Sequence, residues 1–402
     1  MLIENLEELT SHGNVEGRKT ILDIAEAGLR AADPYPNVRE MLRIEEGKLI
    51  VGHKRFASGS TVNERLPLIF DLSRIGSIYL LGGGKAVQRM AQAAEDVLGD
   101  LVTDGQINAK KGEPRRCRRV NVTFAGHPIP DEDGIEGARR KHELEKKLKK
   151  GDIVFYFVSG GGSATLSWPA PGLTLKDIQD LTRLLYFEKG ASMPEKNRVL
   201  GKLRMPRTGV IGDVPVIVVR SSETPPASRV LHRRFPSDDA IDILKRYELW
   251  DKVPQHVRSH LEKVHADPRY DAYSMPIHSC FTYRVLYEFT VMGPQYMLEA
   301  AKKRAEELGI NAHILCSSLN DIEIGPIAGA LANMACEVEQ HGRPFRPPCV
   351  MIFGGEPTVT TGETAGKGGR NQEFALSTAP WIEGSENITA LSVDADGTDG
   401  PT

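Results

Sequence analysis

Residues 153–163 read IVFYFVSGGGS: six apolar residues in a row, then three glycines between two hydroxyls. An unbroken apolar run of this length is what a strand covered on both faces requires, since a strand with one wet face alternates with polar residues. Residues 77–85 read SIYLLGGGK and pass directly into AVQRMAQAAEDVLG, a segment with helical spacing. Strand, glycine loop and helix in succession form the repeating unit of a doubly wound parallel sheet, so the expected fold class is α/β.

The same reading extends outward. Residues 18–32 place Ile21, Ile24, Ala25, Ala27 and Leu29 on one helical face, with a stop at Asp33-Pro34. Short strands are expected near Leu49–Gly52 and over Val214–Val219, and helices over Gly134–Lys150 and Thr174–Leu185. Residues 238–263 read as helical and exposed, with Trp250 packing on them. The Pro- and Asp-rich stretch 265–278 reads as a linker. Beyond it come a strand (284–291), a helix (296–308), a strand (312–316), a helix (325–340), strands at 349–353 and 358–361, a helix from Gln372, and a last strand, ITALSVDAD.

The chain has 402 residues, 40% of them hydrophobic, which is long and apolar enough for two domains. Its 51 Lys and Arg against 54 Asp and Glu give a net charge of −3, which excludes a globally basic nucleic-acid coat and an acidic disordered chain. Five cysteines without a C-x-x-C pattern argue against a disulfide framework or zinc cluster and fit a reducing compartment. The acidic amphipathic start does not read as a signal peptide, and no apolar run approaches the roughly 18 residues of a membrane span. A cytoplasmic protein without membrane or nucleic-acid partners is expected, and a homo-oligomer is compatible with the sequence.

Four features can carry chemistry. Gly82, Gly83, Gly84 and Lys85 end a strand and open a helix, where glycine backbone N–H groups can cradle an anion and the lysine adds charge; a tight turn with a solvated lysine fits equally well. The loop matches neither the P-loop nor the full dinucleotide pattern, whose third glycine would fall at Val87. Ser159, Gly160, Gly161, Gly162 and Ser163 leave a concavity free of side chains that suits a phosphate or carboxylate, with no nucleophile at the centre. Gly366-Lys367-Gly368-Gly369-Arg370-Asn371 brings two cations after Gly354-Gly355-Glu356, a combination suited to a phosphoryl group and a metal ion. Asp394, Asp396 and Asp399 can serve as metal ligand or general base. His127, in Gly126-His127-Pro128, reads as a structural loop residue. The basic run from Lys110 to Arg119 reads as a solvated edge strand, since no aromatic residues interleave it.

As a set, LLGGGKAV, AGHPIPDEDGIEGARR, FVSGGGSATLSWPAPGLTLKDIQDLTRLL, FGGEPTVTTGETAGKGGRNQEFAL and DADGTDGPT closely resemble the MOFRL-type (class II) glycerate 2-kinases over nearly the whole chain. The resemblance implies a Rossmann-like N-terminal domain (1–275), a smaller α/β MOFRL domain (276–402) and an active site between them. It also implies ATP- and Mg²⁺-dependent phosphorylation of D-glycerate to 2-phosphoglycerate. By the same resemblance Lys85 and Arg370 stabilise charge, and Asp396 activates the hydroxyl or contacts Mg²⁺. Gly82–Gly84, Ser159–Ser163, Glu356, Lys367, Asn371 and Asp399 bind substrate or nucleotide. Family chains continue past DGPT, so a longer active protein is implied.

The sequence departs from the family between residues 197 and 236. Leu200, Gly201 and Lys202 stand where Arg-Lys-His is expected, Arg220, Arg229, Arg233 and Arg234 appear nearby, and Gly293-Pro294 replaces a Gly-Asn. An altered hydroxy-acid or polyol-phosphate substrate, weakened activity, and a misaligned variable region are the three readings of this region. An NAD(P)-dependent hydroxypyruvate reductase and a non-catalytic sugar-acid or nucleotide binder remain as alternatives to the kinase.

Overall fold

A computed structural model describes residues 2–58, 61, 63–205, 214–221, 239–266, 286–320, 322–360, 366–395 and 399. Twelve strands are described: β1 (Leu42–Glu45), β2 (Lys48–Val51), β3 (Ala57–Ser58), β4 (Leu68–Asp71), β5 (Ile78–Gly83), β6 (Val102–Lys110), β7 (Asn121–Ala125), β8 (Ile153–Val158), β9 (Val216–Ser221), β10 (Leu286–Met292), β11 (Asn311–Cys316) and β12 (Cys349–Phe353). The chain divides into two compact units. The described residues of one lie within Met1–Asp33 and Met292–Thr402; those of the other lie within Pro34–Ser222 and between residues 239 and 291.

The larger unit is built on a seven-stranded sheet in the order β3-β10-β9-β8-β5-β6-β7. Its five strands from β9 to β7 are parallel, and β3 runs antiparallel to β10 at one edge. The apolar run 153–158 is β8, at the middle of the sheet. Tyr79, Leu81, Val154, Tyr156, Val216 and Val218 form one face with Leu144 from the Glu132–Glu145 helix. Their neighbours Leu80, Phe155, Phe157, Ile217 and Val219 are equally buried and, by strand alternation, point to the other face. Both faces are therefore covered, as the unbroken apolar runs require.

Residues 240–266 form the helices Ala240–Arg246 and Gln255–Ala266. They are not the exposed layer the sequence reading expected. Ile243, Leu244, Leu249, Val257 and Leu261 are buried in one core with Ile178, Leu185, Val199 and Leu203, and Trp250 packs at its margin as anticipated. The helices carry charged outer faces, and an inward stripe spaced by three and four is easily lost among those charges. The basic run is likewise a connection rather than an edge strand. β6 ends at Lys110, the edge strand is β7, and Arg115 turns back to donate to the carbonyls of Cys117 and Val120. Glu95 accepts the N–H groups of Arg118, Arg119 and Val120 at 2.8 Å each, which fixes this loop. Gly112 and Pro114 in the run suit a turn better than a ladder.

In the smaller unit β11 and β12 pair in parallel. The Val15–Ala32 helix packs on the Pro294–Glu307 helix: Ile24 joins Leu298, Ala301, Ala305, Ala312 and Ile352 in one core, and Asp23 accepts from Arg304 at 2.6 Å. A Cβ on Gly28 would stand 3.1 Å from Met297, so the helices approach closely there. Residues 1–33 thus cluster with the C-terminal unit, whereas the sequence reading placed them with the first domain. An amphipathic stripe specifies that a helix must be covered but not what covers it. Over their described residues, two expected strands are not formed. Thr358 makes a single bridge to Glu323, and residues 388–394 join no ladder among the described residues. Apolar runs this short are ambiguous until a neighbour supplies the pairing. No described helix is long and apolar enough to cross a membrane.

Candidate functional site

The first loop pair belongs to the larger unit. β5 carries Gly82 and Gly83 beside Phe157 and Val158 of β8, so the two glycine loops leave the sheet side by side. They are stitched together. Lys85 N–H donates to the Gly160 carbonyl at 2.8 Å, Ala86 N–H to Ser159 Oγ at 3.0 Å, and Gly84 N–H to the Asn108 carbonyl at 3.0 Å. The glycines of the first loop serve close approach. A Cβ on Gly82 would lie 2.2 Å from the Phe157 carbonyl oxygen, and one on Gly84 would lie 2.2 Å from Ser159 Oγ. The expectation that this loop's N–H groups cradle an anion therefore needs correction at positions 84–86, whose donors are already used.

The open donors lie in the second loop. Among the described residues Gly160 and Gly161 donate their N–H groups to no protein acceptor, while Gly162 N–H turns inward to the Ser159 carbonyl. Gly161 is left-handed at φ +83°, and successive N–H groups around such a residue form an anion-binding concavity. A Cβ there would stand 2.9 Å from His127 Cδ2, 3.2 Å from His127 Nε2 and 3.0 Å from Lys85 Cγ, so the imidazole and the lysine stem converge over this glycine. Lys85 is 8% exposed. Ser163 is committed to Asn197 at 3.1 Å.

The sequence reading set His127 aside; its proximity to Lys85 arises from three segments distant in the chain. Its loop is held by Asp131, which caps the helix through Gly134 N–H, pairs with Lys111 at 2.6 Å and accepts the Gly126 N–H. Burial raises the Asp131 carboxyl, but the Gly126 N–H, the Lys111 ammonium and the Gly134 N–H outweigh it and hold it below the usual carboxylate range. Asn108 was also missed. Fully buried, it donates to the carbonyls of Gly134 and Thr165 and so ties both loops to the Glu132–Glu145 helix. Its amide, with that of Gln106, inside a buried strand was the available signal.

The second loop set belongs to the smaller unit. Arg370 opens the Arg370–Thr378 helix and donates to Glu356 at 2.5 Å and to the Pro357 carbonyl at 3.2 Å. Glu356 N–H is held by Asn320 at 2.7 Å, and Gly355 passes so close to Leu319 that a Cβ would lie 2.4 Å from its nitrogen. Lys367 is exposed. Asp399 accepts from Asn371 and Gln372 at the helix N-terminus. Asn371 in turn accepts from Ser392. Asp396 lies outside the described residues, so its expected role is untouched.

The divergent central residues have local roles. Leu200 is buried, Lys202 pairs with Asp239 at 2.6 Å, and Arg220 pairs with Glu288 at 2.5 Å. Arg229, Arg233 and Arg234 lie outside the described residues. Cys117 is buried, which pushes its thiol up to about 12 and makes it inert.

Two family models match the chain: a domain of unknown function, DUF4147, over residues 20–214, and the MOFRL family over residues 349–402. A glycerate 2-kinase of Pyrococcus horikoshii is 33% identical over 95% of this chain and 84% of its own. The chain belongs to the MOFRL-type glycerate kinase family. A D-glycerate 2-kinase of Thermotoga maritima is 33% identical over 85% of this chain and 79% of its own. The crystal structure of a Thermotoga maritima glycerate kinase, 28% identical, aligns with a TM-score of 0.64 over 96% of this chain and 84% of that one. The α/β class and the MOFRL segment expected from the sequence are both present.

Proposed function

We propose that this member of the glycerate kinase family transfers a phosphoryl group from ATP to D-glycerate, giving 2-phosphoglycerate. The observation that carries the reading is the convergence of Lys85 and His127 on Gly161, beside the two open N–H groups of the glycine loop. Phosphoryl transfer needs positioning and neutralisation of charge more than covalent chemistry, and a buried lysine beside fixed backbone donors supplies both. Lys85 is assigned to charge stabilisation in the larger unit and Arg370 in the smaller one. Arg370 is oriented by Glu356, so its guanidinium is placed before substrate arrives.

Among the described residues no group of three His, Cys, Asp or Glu converges on a metal ion. Glu356 and Asp399 are both engaged by protein donors. Mg²⁺ is read as entering with the nucleotide substrate, whose phosphates need few protein ligands to hold it. Asp396 remains the proposed hydroxyl-activating or magnesium-contacting carboxylate. A hydride-transfer reading is disfavoured by Val87, fully buried at the first turn of its helix where a dinucleotide loop carries glycine.

Phosphorus NMR of the protein with Mg·ATP and D-glycerate tests the proposal. A phosphate ester at carbon 2 is expected. Absence of any ester with D-glycerate, erythronate or related acids sinks it.

A further inference from the structure

Resting on the kinase reading, we propose that Asn108 is a positioning residue for phosphoryl transfer: its backbone and side chain together set the mutual placement of three loops, 82–86, 126–131 and 159–163. Each loop follows a different strand, β5, β7 and β8, and Asn108 stands on β6, between β5 and β7 in the sheet. The first loop is held by the backbone, since the Asn108 carbonyl accepts Gly84 N–H at 3.0 Å. The other two are held through the side chain. Nδ2 donates to the Thr165 carbonyl at 2.7 Å, and Thr165 N–H donates to the Gly161 carbonyl at 3.1 Å. Nδ2 also donates to the Gly134 carbonyl at 3.1 Å. Gly134 N–H donates at 3.0 Å to Asp131, the carboxylate that accepts Gly126 N–H.

The amide is fixed in orientation and fully used. Gln106 Nε2 donates to Asn108 Oδ1 at 3.1 Å, which settles that the Nδ2 end faces the two carbonyls. Glycines clear the space around it. A Cβ on Gly137 would stand 2.2 Å from Asn108 Oδ1, and one on Gly134 would stand 3.1 Å from the Thr165 carbonyl oxygen. A strand position facing a helix is ordinarily apolar, because burying an amide is unfavourable unless its polar atoms are bonded. Asn108 is 0% exposed, and its amide donors and acceptor are all bonded. Such a satisfied network is rigid. Phosphoryl transfer needs that rigidity, since a displacement of about 1 Å at the reacting groups can lower the rate about 10²-fold.

Two measurements on the full chain test the assignment. The first is amide hydrogen exchange without ligand, comparing wild type with Asn108→Leu, which keeps the bulk and removes the side-chain hydrogen bonds. Exchange is expected to quicken about tenfold in the peptides covering Gly84–Ala86, Gly134 and Thr165, with residues 311–316 of the smaller unit unchanged. Acceleration in only one of the three places overturns the shared role. The second is kinetic, well below the variant's unfolding midpoint. There kcat is expected to fall about 10²-fold, with KM for ATP and for D-glycerate within about fivefold of wild type. A lowered unfolding midpoint with kcat retained makes Asn108 a packing residue and overturns the proposal. Asn108→Asp serves if Asn108→Leu does not fold. Its carboxylate would face two carbonyls when ionised and donate to one of them when protonated. The ratio of variant to wild-type kcat should therefore climb as pH falls from about 8.5 to about 5.5, because burial raises a carboxyl. A flat ratio overturns the role given to the Nδ2 donors. If exchange quickens in all three places while wild type forms no phosphate ester, the placement stands and the kinase reading fails.

Discussion

Asp399 caps the helix that carries Asn371: its Oδ1 accepts both the backbone N–H and the side-chain Nδ2–H of Asn371, at 3.1 Å each, while Oδ2 accepts Gln372 N–H at 2.9 Å. Gly369, at the N-cap position, is bare because Asp399 fills the place of its side chain; a Cβ there would lie 2.4 Å from Oδ1. A carboxylate at this end also complements the helix dipole. Asp399→Ala should cost roughly 1 kcal/mol and Asp399→Asn much less, as for other capping residues. Thermal unfolding reads both. Equal losses from the two variants would show that the carboxylate does something other than cap.

The Arg370–Glu356 pair is half-buried, with side chains 23% and 20% exposed, so solvent screens it only in part. A double-mutant cycle with Arg370→Met and Glu356→Gln should give a coupling of about 1 kcal/mol in urea unfolding. Additive effects would mean that Glu356 does not orient the arginine. Arg370→Lys should fold normally and lose turnover, because an ammonium cannot reproduce the planar guanidinium's placement.

Lys85→Met removes the charge while keeping the stem over Gly161. The expected loss in kcat is about 10²- to 10³-fold, the scale of deleting one preorganised electrostatic contact. Far-UV circular dichroism should be unchanged. A variant with near-normal kcat would remove Lys85 from the proposed mechanism.

Gly82→Ala tests the seam between the loops. Its Cβ would meet the Phe157 carbonyl oxygen, a backbone atom of the central strand, and neither strand can give way without loss of pairing. Destabilisation of roughly 3 kcal/mol or more is expected. Gly112→Ala provides the contrast. Nothing lies within 4 Å of its Cβ, and its φ of +93° leaves only the conformational penalty, about 1 to 2 kcal/mol. Denaturant midpoints rank the two variants.

Asp131 gives stability a pH dependence of defined sign. Its folded pKa is depressed below the unfolded value of about 3.9, so its contribution is complete above that value and is lost as pH falls through the folded pKa. Wild type should exceed Asp131→Asn by about 1 kcal/mol at pH 6, since asparagine caps a helix nearly as well but cannot pair with Lys111. The gap should narrow at pH 3. A gap that is constant across this range would place the effect in packing rather than charge.

Much of the scaffold was legible because its signals are local. The run 153–158 is β8 residue for residue, and residues 77–99 gave the strand, loop and helix at that end of the sheet. The glycine loops also stood out, since three consecutive glycines at a strand end have few structural uses. The expected exposed helical layer at 238–263 and the strand expected at 388–396 failed, over their described residues, for a common reason: burial and pairing depend on partners elsewhere in the chain.

The amino-acid sequence alone determined the α/β class, the family and the residue types available for phosphoryl transfer, because periodicity, glycine placement and motif order are properties of neighbouring residues. Only the tertiary structure decided which of those groups are open and which are spent. It closed the N–H groups of residues 84–86, left those of Gly160 and Gly161 open, committed Asp399 to a helix end and brought His127 to Lys85. A hydrogen-bonding group's availability is set by what packs against it, and here the packing partners are separated by tens of residues in the chain.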